Sequence, residues 1–295
     1  MAHRPYRDER DLTLLLNWLS NHAHTAYMHP GDLVWWLRKN MLVDPTKALE
    51  LFFDEQGELH GFIFVDAGSW AVLQGAAALP AEVWDDMVAS LTSKAEGELV
   101  VQPHEFDTPQ MEALKRAGFA STQNRMLRLE HVVGPADLKV VDLPTGYRFA
   151  DMKSGEISAE ARVGLHQHVW KSTRHTVDVY RRMQSAPLYR PDLDMMVVTP
   201  SGWLACYALG WYDPRSRTGL MEPVGTHEEF RRQGLGRRVI QEMTRRLAVL
   251  GAQKVTIGSY ETNQASTGLF QSAGYSLNGY WLDFGRLSSM GAGKM

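Results

Sequence analysis

Arg231-Arg232-Gln233-Gly234-Leu235-Gly236 lies at the join between an apolar strand and a long helix. Upstream, Gly219-Leu220-Met221-Glu222-Pro223-Val224-Gly225-Thr226 reads as a strand. Downstream, Arg237 to Leu250 carries Val239, Ile240, Met243, Leu247 and Leu250 at helical spacing. A basic, glycine-punctuated turn that opens a helix has a physical use, because it can hold phosphate. The glycines remove side chains so that backbone N–H groups converge on an anion, and first-turn amides have no partner within the helix. Cationic side chains add charge-assisted hydrogen bonds. On local chemistry alone two readings stand: a phosphate cradle, or a corner whose basic residues face solvent.

The length of 295 residues suits one large or two medium domains, and 44% hydrophobic with 22% charged residues is an ordinary globular balance. With 31 basic against 34 acidic residues the net charge is −3, which gives no global attraction to nucleic acid. The single cysteine, Cys206, excludes an intramolecular disulfide and a cysteine-based metal cluster. It sits in the apolar run Trp203 to Leu209, so a buried, inert thiol is expected. The opening Met1 to Asp8 does not read as a signal peptide, and no apolar run approaches membrane-spanning length. The expectation is a cytoplasmic protein with no membrane and no nucleic-acid partner.

A break falls in Val132-Val133-Gly134-Pro135-Ala136-Asp137, and the pattern on each side of it is the same. In the first half, Asp11 to Leu19 and Asp32 to Asn40 read as helices. Leu49 to Phe53 and Leu59 to Val65 read as a hairpin, followed by helix Ala81 to Lys94, strand Glu98 to Val101 and helix Pro109 to Arg116. In the second half, Gly155 to Thr173 and Asp178 to Gln184 are helical. Met195 to Thr199 and Trp203 to Leu209 form the matching hairpin, then come the strand at Gly219, the basic turn, its helix, strand Lys254 to Gly258 and helix Gln264 to Ser272. The two ends align without gaps: Asp107 to Phe119 parallels Asn263 to Tyr275, each a short polar cap followed by a helix that ends in Ala-Gly-aromatic. Agreement in element order as well as in this helix points to an internal duplication.

On Val224-Gly225-Thr226, Arg231-x-x-Gly234-x-Gly236 and Asn263-x-x-Ser266-x-x-Leu269-Phe270-x-x-x-Gly274-Tyr275, the second half resembles the GNAT superfamily of acetyl-CoA-dependent N-acetyltransferases. The match covers roughly residues 140–286. The whole chain is similar in layout to the tandem GNAT proteins, of which mycothiol synthase is a bacterial example. The resemblance implies an α/β (mixed α+β) fold of two tandem GNAT-like domains, each a mainly antiparallel central sheet flanked by helices. Residues 1–135 are then a degenerate copy, because Trp70 to Pro80 has no arginine and only one glycine where the pyrophosphate loop belongs. Residues 140–295 are the catalytic acetyltransferase domain.

The resemblance also implies that acetyl-CoA, a co-substrate, lies between the fourth and fifth strands of that domain. Backbone groups of Val224, Gly225 and Thr226 would bond the pantetheine arm like an added strand. The run Arg231, Arg232, Gln233, Gly234, Leu235, Gly236, Arg237 would hold the pyrophosphate. Asn263 would reach the cofactor from the fifth strand; capping its own helix is an equally good use of that residue.

Acetyl transfer to an amine needs a base for the amine proton and a donor for the oxyanion, for which a strand amide near Val224 is suited. Glu222 is the candidate base, two residues before Val224 on an apolar strand, where alternation puts both on one face. An ion pair with a neighbouring arginine is its other reading. Many family members carry a tyrosine near the CoA sulfur where this chain has Phe270, which has no proton to give, and Tyr260 and Tyr275 are nearby in sequence.

The acceptor, a small-molecule amine, would be selected by the stretch that holds His166, His168, Trp170, Arg174, His175, Asp178 and Tyr180. Solvent-facing or capping histidines, core aromatics and no metal are expected there. Trp35-Trp36 and Trp84 are expected to pack in helices. Two alternatives share the fold: a CoA-binding regulatory or scaffold protein without catalysis, and a tandem acyltransferase with another acyl donor. Oligomeric state is open.

Overall fold

A computed structural model describes residues 2–23, 28–39, 43–66, 69–76, 78–95 and 97–286. The chain forms two compact units. One comprises Met1–Met28, Leu42–Leu127 and Gly279–Met295; the other comprises His29–Met41 and Arg128–Asn278. The chain crosses from the first to the second within β6 (Ala120–Val132) and returns within β12 (Ser276–Arg286).

The first unit holds strands β1 (Ala2–Pro5), β2 (Leu49–Phe53), β3 (Leu59–Asp66), β4 (Trp70–Gly75) and β5 (Leu99–Val101), in that order, with the end of β12 beyond β5. All pairings are antiparallel except β4 with β5, which is parallel. Helices α1 (Glu9–Asn21), α3 (Pro45–Ala48), α4 (Ala81–Ser93) and α5 (Thr108–Arg116) complete it. Trp84, Met87 and Leu91 of α4 lie in a core with Ile63, Leu73 and Leu114. Their three- and four-residue spacing turns one apolar stripe onto the sheet. The sequence reading has α4 as far as Lys94 and a helix from Asp32 to Asn40, of which Asn40 is outside the described residues.

The second unit repeats this order. Its strands are β7 (Arg148–Asp151), β8 (Asp194–Val198), β9 (Leu204–Asp213), β10 (Thr218–Thr226) and β11 (Lys254–Tyr260). β7 to β10 are joined antiparallel, and β10 to β11 parallel. Helices α6 (Ala159–Trp170), α7 (Val177–Gln184), α8 (Leu235–Val249) and α9 (Gln264–Ser272) flank it. Of the stripe read from sequence, Val239, Ile240, Met243 and Leu247 are fully covered on α8, while Leu250 is its C-cap and only half-buried. The two cap residues aligned in sequence do the same work. Asp107 accepts from Gln110 N–H at 3.3 Å and Asn263 from Ser266 N–H at 3.2 Å, each the third amide of its helix. A mainly antiparallel sheet flanked by helices in each unit is the fold expected from the resemblance.

One helix departs from the sequence order. α2 (Pro30–Arg38) is encoded among the elements of the first unit and belongs to the second. It begins on a capping box, with Asp32 accepting from His29 N–H at 2.9 Å. Gly31 packs directly on Trp211 of β9, where a Cβ would lie 2.5 Å from the ring, and Arg182 of α7 donates to Leu37 O at 3.2 Å.

Beneath α6 and α7 lies a buried ion pair. Arg162 Nε donates to Asp194 Oδ1 at 2.8 Å, Tyr180 Oη donates to Asp194 Oδ2 at 2.6 Å, and the guanidinium stands 3.8 Å above the Tyr207 ring. The Arg162 and Asp194 side chains are 1% and 0% exposed. Removing one partner strands a charge in a dry interior, which is far worse than losing a surface pair. Asp194→Ala should therefore lower stability by about 3–5 kcal/mol, read from urea midpoints. Glu160→Ala, which breaks the exposed pair with Arg181, should stay within about 1 kcal/mol.

Candidate active site

The parallel ladder of β10 with β11 is only three residues long, from Thr218↔Lys254 to Leu220↔Thr256. Past Leu220 the two strands are no longer paired to each other, while β10 stays paired to β9 as far as Thr226↔Cys206. Met221 to Thr226 thus turns an open main-chain edge toward Ile257 to Tyr260. An extended ligand can bond such an edge as an added strand.

Parting coincides with an irregularity in β10. Its register on β9 shifts between Met221↔Gly210 and Val224↔Ala208, so three steps on β10 oppose two on β9. The extra residue corrects the sequence reading, in which simple alternation places Glu222 and Val224 on one face: a bulge interrupts the period of two. A signal for this was present, because Pro223 has no N–H for a ladder, and prolines within strands mark bulges and edges.

The open edge leads to the basic turn. Gly234 is the N-cap of α8 with φ +74°, Arg232 is likewise left-handed at φ 63°, and no side chain caps the first turn. Two left-handed residues so close together turn main-chain amides to one side, the geometry of an anion-binding nest. Gly236 is needed for close approach: a Cβ there would stand 3.0 Å from Thr226 Oγ1 and 3.3 Å from Leu269. Arg231 Nε donates to Thr226 O at 3.2 Å. Arg231, Arg232, Gln233 and Arg237 are exposed and Leu235 is buried. An open cleft of about 440 Å³ runs beside α8, with Lys139, Asp142, Arg237, Arg238 and Gln241 on its walls.

The structure therefore brings Val224, Gly225, Thr226, Arg231, Gly234 and Gly236 into one region. Asn263 caps α9 with its side chain, the alternative use left open in the sequence. Phe270 is 4% exposed, and Tyr275 is buried with its hydroxyl 2.9 Å from Thr244 Oγ1, whereas Tyr260 is 46% exposed at the end of β11.

Glu222 is half-buried, and Trp211 Nε1 donates to its carbonyl at 2.8 Å. Its carboxyl neighbours that of Asp32 of α2, a residue that sequence reasoning did not single out. Burial, and then the charge of Glu222, push the Asp32 carboxyl well above the usual carboxylate range. Beside it, burial brings His29 down to about 4, with its Nε2 facing Thr218 O.

α6 packs over the outer part of β10, where Val169 would contact a Cβ at Gly225. The histidines expected at the surface here are partly inside. His166 and His175 are 7% and 4% exposed with ring centroids 4.2 Å apart, and Trp35 is 5.7 Å from His175. Tyr180 is in the core as expected, but Trp170 is 52% exposed. Trp170 Nε1 donates to Tyr207 Oη at 2.6 Å, and Tyr207 Oη lies 2.8 Å from His166 Nδ1. Since the indole only donates, the tyrosine proton goes to Nδ1, and neutral His166 carries its own proton on Nε2. Burial, then His175 and Arg162, bring His166 to about 2; burial and then Arg162 bring His175 to about 4. Cys206 is buried and its thiol is pushed up, as expected of an inert cysteine. Among the described residues no group of three or more His, Cys, Asp or Glu is placed to hold a metal ion, and no helix is long and apolar enough to cross a membrane.

Comparison with known proteins places this geometry. Residues 207–282 match the family model of FR47-like proteins, which are related to the GNAT acetyltransferases. Over 97% of its length the chain superimposes on a GCN5-related N-acetyltransferase from Sphaerobacter thermophilus, at 14% identity, TM-score 0.63 and 95% coverage of that protein. A tandem GNAT protein from the clavulanic acid biosynthesis pathway matches over 97% of this chain and 98% of its own, at 16% identity and TM-score 0.63. A GNAT-family acetyltransferase from Colwellia psychrerythraea does so over 97% and 99%, at 14% identity and TM-score 0.59. No curated protein sequence matches significantly. The GNAT fold and its tandem layout, read from the motifs, are thereby borne out.

The depressed histidines set an acid limit. Their unfolded values are about 6.5, so the unfolded chain binds protons below that pH that the folded chain does not bind until about 4. Their stabilisation is complete above pH 6.5 and is lost as pH falls toward 4. Asp32, raised in the fold, acts in the opposite sense. His175→Gln removes one histidine alone, so between pH 7 and pH 5 its urea midpoint should fall less than that of wild type. The difference should be about 1–2 kcal/mol.

Proposed function

We propose that the protein is an acyl-CoA-dependent N-acyltransferase, with acetyl-CoA as donor and a small-molecule amine as acceptor. The observation that carries this reading is the parting of β10 from β11 after Leu220, which leads to the uncapped, glycine-started N-terminus of α8. The open edge at Val224 to Thr226 suits the amide-bearing pantetheine arm. The amides of Gly234 to Arg237, with Arg231 and Arg232, suit the pyrophosphate, and the cleft beside Arg237 and Lys139 suits the nucleotide end. Residues 1–135 have no such turn and would serve as a supporting, non-catalytic copy, with residues 140–295 carrying catalysis.

In the reaction, Glu222 removes the amine proton, directly or through a water, and a main-chain amide near Val224 faces the developing oxyanion. Phe270 supplies no proton to the leaving sulfur. A thiol near pKa ~8.5 leaves as a thiolate without an obligatory acid and is protonated from solvent. α2 and α6, with Trp35, Trp170 and His166, wall the acceptor side. Phe270 also favours one second reading, a CoA-binding regulator without turnover.

Calorimetric titration with acetyl-CoA, followed by a free-thiol assay over an amine panel, separates the two. Binding with turnover supports the transferase, binding without turnover on any amine supports the regulator, and no binding removes both. Gly234→Glu should abolish acetyl-CoA binding, since it sets a bulky anion against the amides at a left-handed position. Retained affinity would place the pyrophosphate elsewhere. Glu222→Gln should lower kcat by about 10²–10⁴-fold with acetyl-CoA affinity unchanged, and an unaltered pH–rate profile would remove it as base.

A further inference from the structure

Two parallel strands part in the first unit as they do in the second. β4 and β5 pair only at Trp70↔Val100 and Ala71↔Val101, where β5 ends, while β4 runs on along β3 to Gly75↔Gly61. Ser69 O accepts from Val100 N–H at 2.9 Å, and in the second unit Arg217 O accepts from Gln253 N–H at 2.8 Å. Main-chain groups of alternate residues face the same edge of a strand. Counting on from Ser69 through Ala71 therefore brings Leu73 to the edge, and counting from Arg217 brings Met221. Leu73 and Met221 hold corresponding places at the end of their ladders.

What meets Leu73 is a side chain of the same unit. Gln110 of α5 donates from Nε2 to Leu73 O at 2.9 Å, and Gln74 Nε2 donates to the same oxygen at 2.9 Å. Gln110 is wholly buried, a rare place for a glutamine, and Leu73, Val101, Ala113 and Leu114 around it share one apolar core. Its Oε1 has no partner among the described residues. A buried carboxamide with an unmet oxygen is costly, so packing alone does not account for it. Past the edge, Gly75 lies on Trp84, whose ring would stand 2.7 Å from a Cβ there, so the chain after β4 settles on α4. The gap-free alignment of α5 with α9 sets Gln110 opposite Ser266, each the residue whose N–H bonds the helix cap. Serine carries no amide and is much shorter.

We propose that the first unit retains a main-chain edge suited to an amide ligand of the pantetheine class, and that the Gln110 carboxamide occupies this edge from within. The glutamine offers what a pantetheine amide would offer, an N–H for a strand carbonyl, and as part of the chain it loses no translational freedom in doing so. The chain then takes acyl-CoA at one site, in the second unit, because the first lacks the phosphate turn and its edge is already filled. The proposal rests on the reading of the second unit as an acyl-CoA site, which gives the corresponding edge its ligand.

Methyl-resolved NMR of the full chain tests it, with acetyl-CoA and pantetheine as probes. In wild type either probe should shift the methyl resonances of Leu220 and Leu269 in the second unit and leave those of Leu73, Ala113 and Leu114 in place. In Gln110→Ser, excess pantetheine should shift Leu73, Ala113 and Leu114 as well. Gln74 still bonds to Leu73 O in that variant, so the carbonyl is not stranded. Gln110→Asn, whose amide sits on a shorter stem, should respond in the same way and serves if the serine variant does not fold. Shifts at Leu73 and Leu114 in wild type overturn the proposal, since the edge is then already open, and this arm needs no variant. Unmoved first-unit methyls in a folded variant, with Leu220 and Leu269 still shifting, overturn it as well, because something other than Gln110 closes the edge. If neither probe shifts the second unit of wild type, the acyl-CoA reading has failed and the proposal falls with it.

Discussion

A main-chain edge left unpaired inside a sheet is the constraint on which the second unit turns. Backbone N–H and C=O groups are obligatory hydrogen-bonding partners, and a sheet normally uses them across its width. Here β10 and β11 pair for three residues and then part. Three local features hold this geometry. Pro223 takes away a ladder donor, the bulge between Met221 and Val224 bends the strand, and Gly236 lets the start of α8 close on Thr226. Each acts at the backbone, so the cleft is set by the fold itself and side chains only finish it.

The buried polar groups fall into two sets with different physical roles. Arg162 and Asp194 pair under α6 and α7, with Tyr180 bonded to the carboxylate and Tyr207 beneath the guanidinium, and such pairing is what lets a charge persist in a dry interior. Asp32 and Glu222 bring two carboxyls together at an open edge. The first set is closed and holds helices in place. In the second, one member is accessible, which is what proton transfer needs.

Much of this was legible in the sequence. The helix stripe at Val239, Ile240, Met243 and Leu247 and the matched caps at Asp107 and Asn263 are local patterns, and local patterns survive folding. The same holds for the glycine turn, whose function is carried by consecutive residues. What was not legible depends on distance. Strands β1, β6, β7 and β12 lack a clean alternation, and nothing in the sequence near Asp32 refers to Glu222. The burial of His166 and His175 follows from the packing of α6, α7 and α2 around them, since a polar residue on a weakly amphipathic helix does not announce its side. The alternation argument for Glu222 failed for a different reason: the proline that breaks it was visible but was read as part of a regular strand.

The placement of α2 has a bearing on how the protein is made. Synthesis runs from the N-terminus, and domains generally fold as they emerge. Residues 30–38 leave the ribosome early, yet the surface that receives them, Trp211 and β10, is encoded almost two hundred residues later. A nine-residue helix is marginal on its own in water. Leu33, Val34, Trp35 and Leu37, all buried at the end, must therefore wait while the intervening chain is built. The nascent protein carries an apolar segment in search of its seat for most of translation. That interval is where a chaperone would engage the chain.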